Sequence, residues 1–189
     1  YLKKCFLDGL NIKNINSKKL AVVRNGVEKV TANLKKQKEI LIVGRMVREK
    51  GILEACIALT RVLPNFPEWK VNIVGARKFY KSTPSNYEKK IKKVLTPIMS
   101  QVIIHGHLPK SKLKKIQNKS MISIVPSLWE EPAGLTVLEA LASDSVLITT
   151  NKGGIPEIAK NKSILIKMSK NDPKYILFIK DLSNAIKDL

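Results

Sequence analysis

The chain has 189 residues, 44% of them apolar, enough for one domain with a proper core and a short appendage. Its formal charge of +20 comes almost wholly from Lys, with Arg at only five positions. Such a balance favours anions (nucleotide phosphates, an anionic membrane surface or nucleic acid) without choosing among them, and Lys-rich drift on solvated faces produces it too.

No apolar run reaches the roughly 18 residues of a membrane span, and no signal peptide is visible. Cys5 and Cys56 match no metal spacing, and a reducing, cytoplasmic setting is expected. The chain starts at Tyr1 and its opening residues read like the middle of something, so a piece of a longer protein is expected.

Tyr1 to Gly9 reads as the tail of a helix from a preceding domain. Leu20 to Val27 reads as a strand ended by the Asn25-Gly26 turn, and Thr31 to Lys38 as a polar, basic linker. The expected division is therefore residues 1–38, the end of a preceding domain plus linker, and residues 39–189, one ligand-binding domain.

From Glu39 onward short apolar runs alternate with amphipathic stretches. Ile40–Val43 reads as a buried strand, and Gly51–Leu63 as a helix burying Ile52, Leu53, Cys56, Leu59 and Leu63, ended by Pro64. Trp69–Val74 is a strand, Ser85–Leu95 a very basic helix, Val102–Ile104 a strand broken at Gly106, and Pro109–Asn118 a short helix. Met121–Val125 and Ser145–Thr149 are strands on either side of a helix; Gly153–Glu157 turns into a short helix; Ile164–Ile166 is the last strand. Asp172-Pro173 caps a final helix running to Leu189. Alternation of this length predicts an α/β fold: a Rossmann-like parallel sheet with helices on both faces and the ligand beyond the carboxyl ends of the strands.

The segment from Ser127 to Ala142 carries the most chemistry. Glu131 and Glu139 stand eight positions apart, with Pro132, Gly134 and Thr136 just after the first. A strand end, a turn and a helix start are expected, with free N–H groups and a positive dipole end offered to an anion. Glu131 would sit on the lip and Glu139 about two turns inside, near the same face. The competing reading is an acid-stabilised helix start plus an ordinary exposed Glu.

Gly44-Arg45 through Lys50-Gly51 follows the first central strand. Gly44 permits a sharp turn or close approach to a ligand, and Arg45 and Lys50 could converge on a diphosphate, or simply form a basic loop. Gly153-Gly154 either brings amides to an anion or makes a tight turn. His105 and His107 read as structural. Neither a dinucleotide fingerprint nor a P-loop is present, and without Asp-x-Asp a dedicated divalent metal site has no support.

Together these pieces resemble the C-terminal, donor-binding domain of retaining GT-B glycosyltransferases of the large family 4 group, glycosyl transferases group 1. The resemblance rests on Arg24-Asn25-Gly26-Val27, Gly44-Arg45, Lys50-Gly51, the Glu131-to-Glu139 segment and Gly153-Gly154-Ile155-Pro156-Glu157, and covers roughly residues 20–170. It implies a hexosyl-type transferase in which Arg45 and Lys50 hold the donor diphosphate and Glu131 touches the transferred sugar. Gly134, Leu135 and Thr136 would present amides to sugar hydroxyls and the distal phosphate, Gly44 would line the donor site, and Glu139 would bind the ribose. No cofactor and no metal are implied; the substrate is a nucleotide diphosphate sugar, by family frequency a UDP-sugar.

The implied partners are a glycan or lipid-linked acceptor and an N-terminal GT-B domain that this sequence lacks. The wording from Trp129 to Thr136 looks most like enzymes of lipopolysaccharide-core or surface-polysaccharide synthesis, at the inner face of the cytoplasmic membrane. There the Lys81–Lys93 stretch would favour an anionic lipid surface. A second reading is a non-catalytic nucleotide-binding or assembly module from a split or truncated enzyme. A third, a nucleic-acid binder, is disfavoured because Arg is scarce and aromatics do not interleave the basic runs, so no nucleic-acid partner is expected.

Overall fold

The computed structural model describes residues 21, 23, 25–28, 35–77, 83–132, 134–169, 171–172 and 174–189. The helix tail expected over Tyr1 to Gly9 lies outside the described residues. Of the strand expected over Leu20 to Val27, residues 21, 23 and 25–27 are described and carry no regular structure.

Six parallel strands form one sheet: β1 (Gln37–Val43), β2 (Lys70–Val74), β3 (Val102–Gly106), β4 (Ser120–Val125), β5 (Val146–Thr150) and β6 (Ile164–Ile166). Their spatial order is β3-β2-β1-β4-β5-β6. The chain thus winds outward from β1 in one direction, returns to the middle, and winds outward from β4 in the other. The connecting helices are α1 (Ile52–Val62), α2 (Asn86–Leu95), α3 (Lys110–Lys119), α4 (Leu135–Ala142), α5 (Ile155–Ala159) and the closing α6 (Ile176–Lys187).

Gln37 and Lys38, expected in the linker, open β1 instead. Their charged and amide side chains disguise the strand, because they stand exposed at its amino end and only Ile40–Ile42 are fully covered. The Lys36 ammonium fixes this entry by donating to the Ser120 and Ser143 carbonyls at 3.0 and 2.5 Å.

Strand periodicity divides the core in two. Ile40, Ile42, Val71, Ile73, Ile122, Ile124 and Ile148 face α1, α2 and α6, where Ile91, Leu95, Phe178 and Leu182 complete the larger cluster. Val125 and Leu147 face the other way, against Val137 and Ala140 of α4 and Ile155 and Ala159 of α5. Each fully buried Leu or Ile contributes about 1.5–3 kcal/mol.

α1 lies deeper than a one-sided amphipathic helix. Ala55, Ala58 and Val62 are buried alongside Ile52, Cys56 and Leu59, whereas Leu53 is only partly covered. The helix runs between α2 and α6, so neighbours reach it from the flanks as well as from the sheet. At the start of α2, Ser85 Oγ accepts from Glu88 N while the Glu88 carboxylate accepts from Ser85 N at 2.7 Å, a reciprocal capping box. The Asp172 carboxylate accepts from the amides of Ile176 (2.7 Å) and Phe178 (3.0 Å), anchoring the start of α6 as expected.

Candidate active site

The strand order reverses between β1 and β4, the crevice in which open α/β sheets bind ligands. Two loops border it: the one after β1, which carries Gly44, Arg45 and Lys50, and the one after β4, which carries Ser127, Trp129 and Glu131. They are bound to each other, with Leu128 N donating to the Glu49 carbonyl at 2.9 Å. Gly51 lets them come so close. It adopts φ +65°, and a Cβ there would stand 1.9 Å from the Pro126 carbonyl oxygen. Behind them Thr150 Oγ1 donates to the Ser127 carbonyl at 2.7 Å, tying the second loop to β5.

Lys50 and Glu131 meet in the crevice as an ion pair, with side chains 22% and 10% exposed. Ser127 Oγ donates to the same Glu131 oxygen at 3.0 Å. The Lys50 ammonium also stands 5.6 Å from the centroid of the Trp129 ring. Burial alone pushes the Glu131 carboxyl up, but Lys50, Trp129 and Ser127 together outweigh it and hold the group below the ordinary carboxylate value. An ionised Glu131 follows at neutral pH.

Arg45, from the same loop as Lys50, is exposed and lines a different space. This cavity of about 220 Å³ opens at the carboxyl ends of β1, β2 and β3, where Gly44, Gly75, Arg77, His107 and Leu108 surround it. Val43 lines it too, and on its other side Val43 borders the narrow cleft shared by Gln117 and Thr136. Gly44 carries no positive φ, and a Cβ there would meet only ordinary contacts 3.7 Å or more away. The crowded position is Gly75, where a Cβ would stand 1.9 Å from the Gly44 carbonyl oxygen.

Gly134 sits just before α4 at φ +52°, and no side chain caps the helix. The first amides, those of Leu135 and Thr136, have no partner within the helix itself. Since α4 begins at Leu135, Glu139 lies little more than one turn inside it, not two. Its carboxylate accepts from Gln117 Nε2 of α3 at 3.1 Å. The two glutamates thus have separate partners: Glu131 joins Lys50 and Ser127, and Glu139 joins Gln117.

Gly153 and Gly154 do not offer their amides outward. Gly153 N donates to the Glu130 carboxylate at 2.6 Å, and Gly154 N donates to the Glu131 carbonyl at 2.7 Å. A Cβ on Gly153 would stand 2.4 Å from the Glu131 backbone N and O. Of the two readings, the tight turn holds, and it clamps the loop that presents Glu131. His105 is held in a polar chain at the sheet edge. Its Nε2–H donates to Asn72 Oδ1 at 2.8 Å, and Asn72 Nδ2 donates to the Glu39 carboxylate at 3.0 Å; burial lowers the imidazole's pKa.

Sequence reasoning gave no role to Ser127, Trp129 or Gln117. The spacing of Ser127 four residues before Glu131 was the available signal for the first; nothing local marks Gln117, which comes from another helix. Among the described residues no group of three or more His, Cys, Asp or Glu is placed to hold a metal ion, and no helix is long and apolar enough to cross a membrane.

An uncapped helix start, a partly buried Lys50–Glu131 pair and a switch-point crevice thus occur together on a doubly wound parallel sheet. The chain belongs to the glycosyl transferases group 1 family, whose model matches residues 24–185. It is 27% identical over 153 residues to the putative glycosyltransferase YtcC of Bacillus subtilis, covering 80% of this chain and 37% of that one. Against the glycogen synthase of Mycobacterium tuberculosis it is 28% identical over 151 residues, covering 75% of this chain and 34% of the relative. Its fold is shared with S. aureus TarM, crystallised in complex with Fondaparinux, alpha-GlcNAc-glycerol and UDP. There the TM-score is 0.72 at 21% identity, over 97% of this chain and 34% of TarM. The chain therefore spans little more than a third of the length of these relatives.

Proposed function

We propose that this chain is the donor-binding part of a retaining glycosyltransferase that moves a hexosyl group from a UDP-sugar to a glycan or lipid-linked acceptor, without a metal. The observation that carries the reading is the Lys50–Glu131 pair beside the uncapped start of α4, at the point where the strand order reverses. Its family and the UDP bound in TarM support the choice of donor.

Sugar transfer develops positive charge on the sugar and negative charge on the departing diphosphate, and fixed cations aimed at the latter lower the barrier. Lys50 serves as a point charge on the diphosphate from the crevice, and Arg45, at the wall of the adjoining cavity, as a planar fork from the nucleoside side. The amides of Leu135 and Thr136, next to Gly134, receive the distal phosphate and sugar hydroxyls at the positive end of α4. When the diphosphate takes the Lys50 ammonium, the Glu131 carboxylate is released to accept a hydrogen bond from the sugar. Glu139, oriented by Gln117, accepts from the ribose, and the cavity beside Gly44 and Arg45 receives the nucleoside. A partner domain supplies the acceptor. The wording around Trp129 favours lipopolysaccharide-core or surface-polysaccharide acceptors at the inner face of the cytoplasmic membrane.

A thermal-shift panel of nucleotide diphosphates and nucleotide sugars tests the reading. Ligand at a hundred times its Kd stabilises by about 2.7 kcal/mol, which for a chain of this length raises Tm by roughly 5–11 °C. UDP and UDP-sugars should produce that rise, and Arg45→Ala and Glu139→Ala should abolish it. A chain unmoved by every nucleotide refutes the proposal.

A further inference from the structure

The basic residues are not spread evenly. Between Glu88 and Glu130 the chain holds nine lysines and not one Asp, Glu or Arg. No carboxylate falls within these 41 residues, while all 15 stand elsewhere. The first part of this stretch builds one border of the molecule, α2, the turn after it and the edge strand β3, while α3 crosses from there to the middle of the sheet, against β1 and β4.

On α2 the apolar side, Ile91 and Leu95, is buried in the core, so Lys89, Lys90, Lys92 and Lys93 all stand exposed on the opposite half. Glu88, at the start of the helix, is engaged by its capping box and by the Arg77 amide. On α3, among the described residues, Glu28 is the carboxylate found against the lysines, paired with Lys114.

Two large apolar side chains interrupt this basic border. Met99 is 41% exposed and Ile103, on the edge strand, 52%. Met99 and Lys92 line the same cleft, with Ile91 and Ile104 deeper in it and the capping Glu88 at its wall, while Ile103 alternates to the other side of the edge strand.

We infer that the α2–β3 border is a docking surface for an anionic lipid bilayer. The α2 lysines, which pair with no carboxylate among the described residues, gain from a smeared negative surface, and exposed Met and Ile side chains gain from entering its apolar boundary. A nucleic acid fits less well: the stretch has no Arg for bidentate contacts, and its single aromatic, Trp129, stands in the crevice beside Lys50. The loop leaving β3 carries His107 and Leu108, which line the cavity beside Arg45. Docking by this border therefore brings that cavity to the membrane, where a lipid-linked acceptor would be met. The inference rests on the transferase reading only for that purpose.

The test is co-sedimentation of the full chain with vesicles of equimolar phosphatidylcholine and phosphatidylglycerol, against phosphatidylcholine alone. Binding is expected only to the anionic vesicles and should weaken as salt rises. Each surface lysine is worth about fivefold in affinity. Lys89→Glu/Lys93→Glu should thus lose at least about 25-fold, while keeping its Tm and any nucleotide-induced shift. Lys160→Glu/Lys162→Glu changes the net charge equally on another, exposed loop and should keep most of the binding. Met99→Ser/Ile103→Ser should weaken binding in a way that salt does not mimic. Equal losses from both charge pairs, no binding to anionic vesicles, or capture of random duplex DNA in their place overturns the inference. Vesicle binding by a chain that no nucleotide stabilises would instead leave the docking surface standing and remove the transferase reading.

Discussion

Replacing Lys50 by Met leaves Glu131 in its pocket without its cation, and the cost follows from how deep the pair sits. Exposed pairs contribute about 0–1 kcal/mol, while removing one member of a fully buried pair costs about 3–5 kcal/mol. With side chains 22% and 10% exposed, and with Ser127 still donating, the pair falls between these limits, at about 2 kcal/mol. In a chain of this length that lowers Tm by roughly 4–8 °C.

The sign with pH is equally defined. The folded-state pKa of Glu131 is held below the ordinary 4.5, so its contribution is present above that value and is lost as pH falls through the lower folded one. Without Lys50, burial dominates and the direction reverses. The gap between wild type and Lys50→Met is therefore largest near neutrality and closes as pH falls through the lowered folded-state pKa of Glu131. Differential scanning fluorimetry across that range measures it, and Lys50→Met/Glu131→Gln should recover most of the loss. A gap that does not change with pH, or a variant as stable as wild type at neutral pH, refutes the argument.

Glu54 behaves oppositely. It is 7% exposed, with Oε2 lacking a partner, and burial raises its pKa. Its ionised form is disfavoured by folding, so stability is lost as pH rises through the folded pKa, and Glu54→Gln should stabilise the chain by about 0.5–2 kcal/mol at neutral pH and not in acid, read from urea midpoints. Gly153→Ala forces a Cβ to 2.4 Å from the Glu131 backbone at a positive φ, and should cost about 2–4 kcal/mol together with the nucleotide response. Gln117→Ala frees the Glu139 carboxylate and should weaken nucleotide binding by about tenfold with little change in Tm, measured by calorimetry. The Cys56 thiol is buried and pushed up to about 12, so in a Cys5→Ser background it should react with a disulfide reagent at mild alkaline pH only after denaturant is added.

The sheet was readable because buried parallel strands appear as short runs such as Ile40–Val43 and Val71–Val74, each followed by a glycine. Strand order and the position of the crevice came from pairings between distant segments, and only the family resemblance hinted at them. In the site, the residues of one loop were legible as a group, but their orientations were not. Arg45 and Lys50 part company because Gly51 presses the second half of the loop against Pro126. Glu139 could be placed on its helix by counting, yet Gln117, its partner 22 positions earlier, depends on how α3 crosses the sheet. Gly153-Gly154 was ambiguous because both of its readings require the same residues; only the Glu130 carboxylate and the Glu131 carbonyl, arriving from another loop, decide it.

The reversed strand order has a consequence for how the molecule opens. Strands β1 to β3 come from one half of the described chain and β4 to β6 from the other, and within the sheet only the β1–β4 ladder joins the halves. Any molecule gripping the loops on both sides of that seam acts as a rivet. Its grip should slow separation of the halves more than fraying at either outer strand, and hydrogen exchange at Leu41 and Ile122 would register the difference.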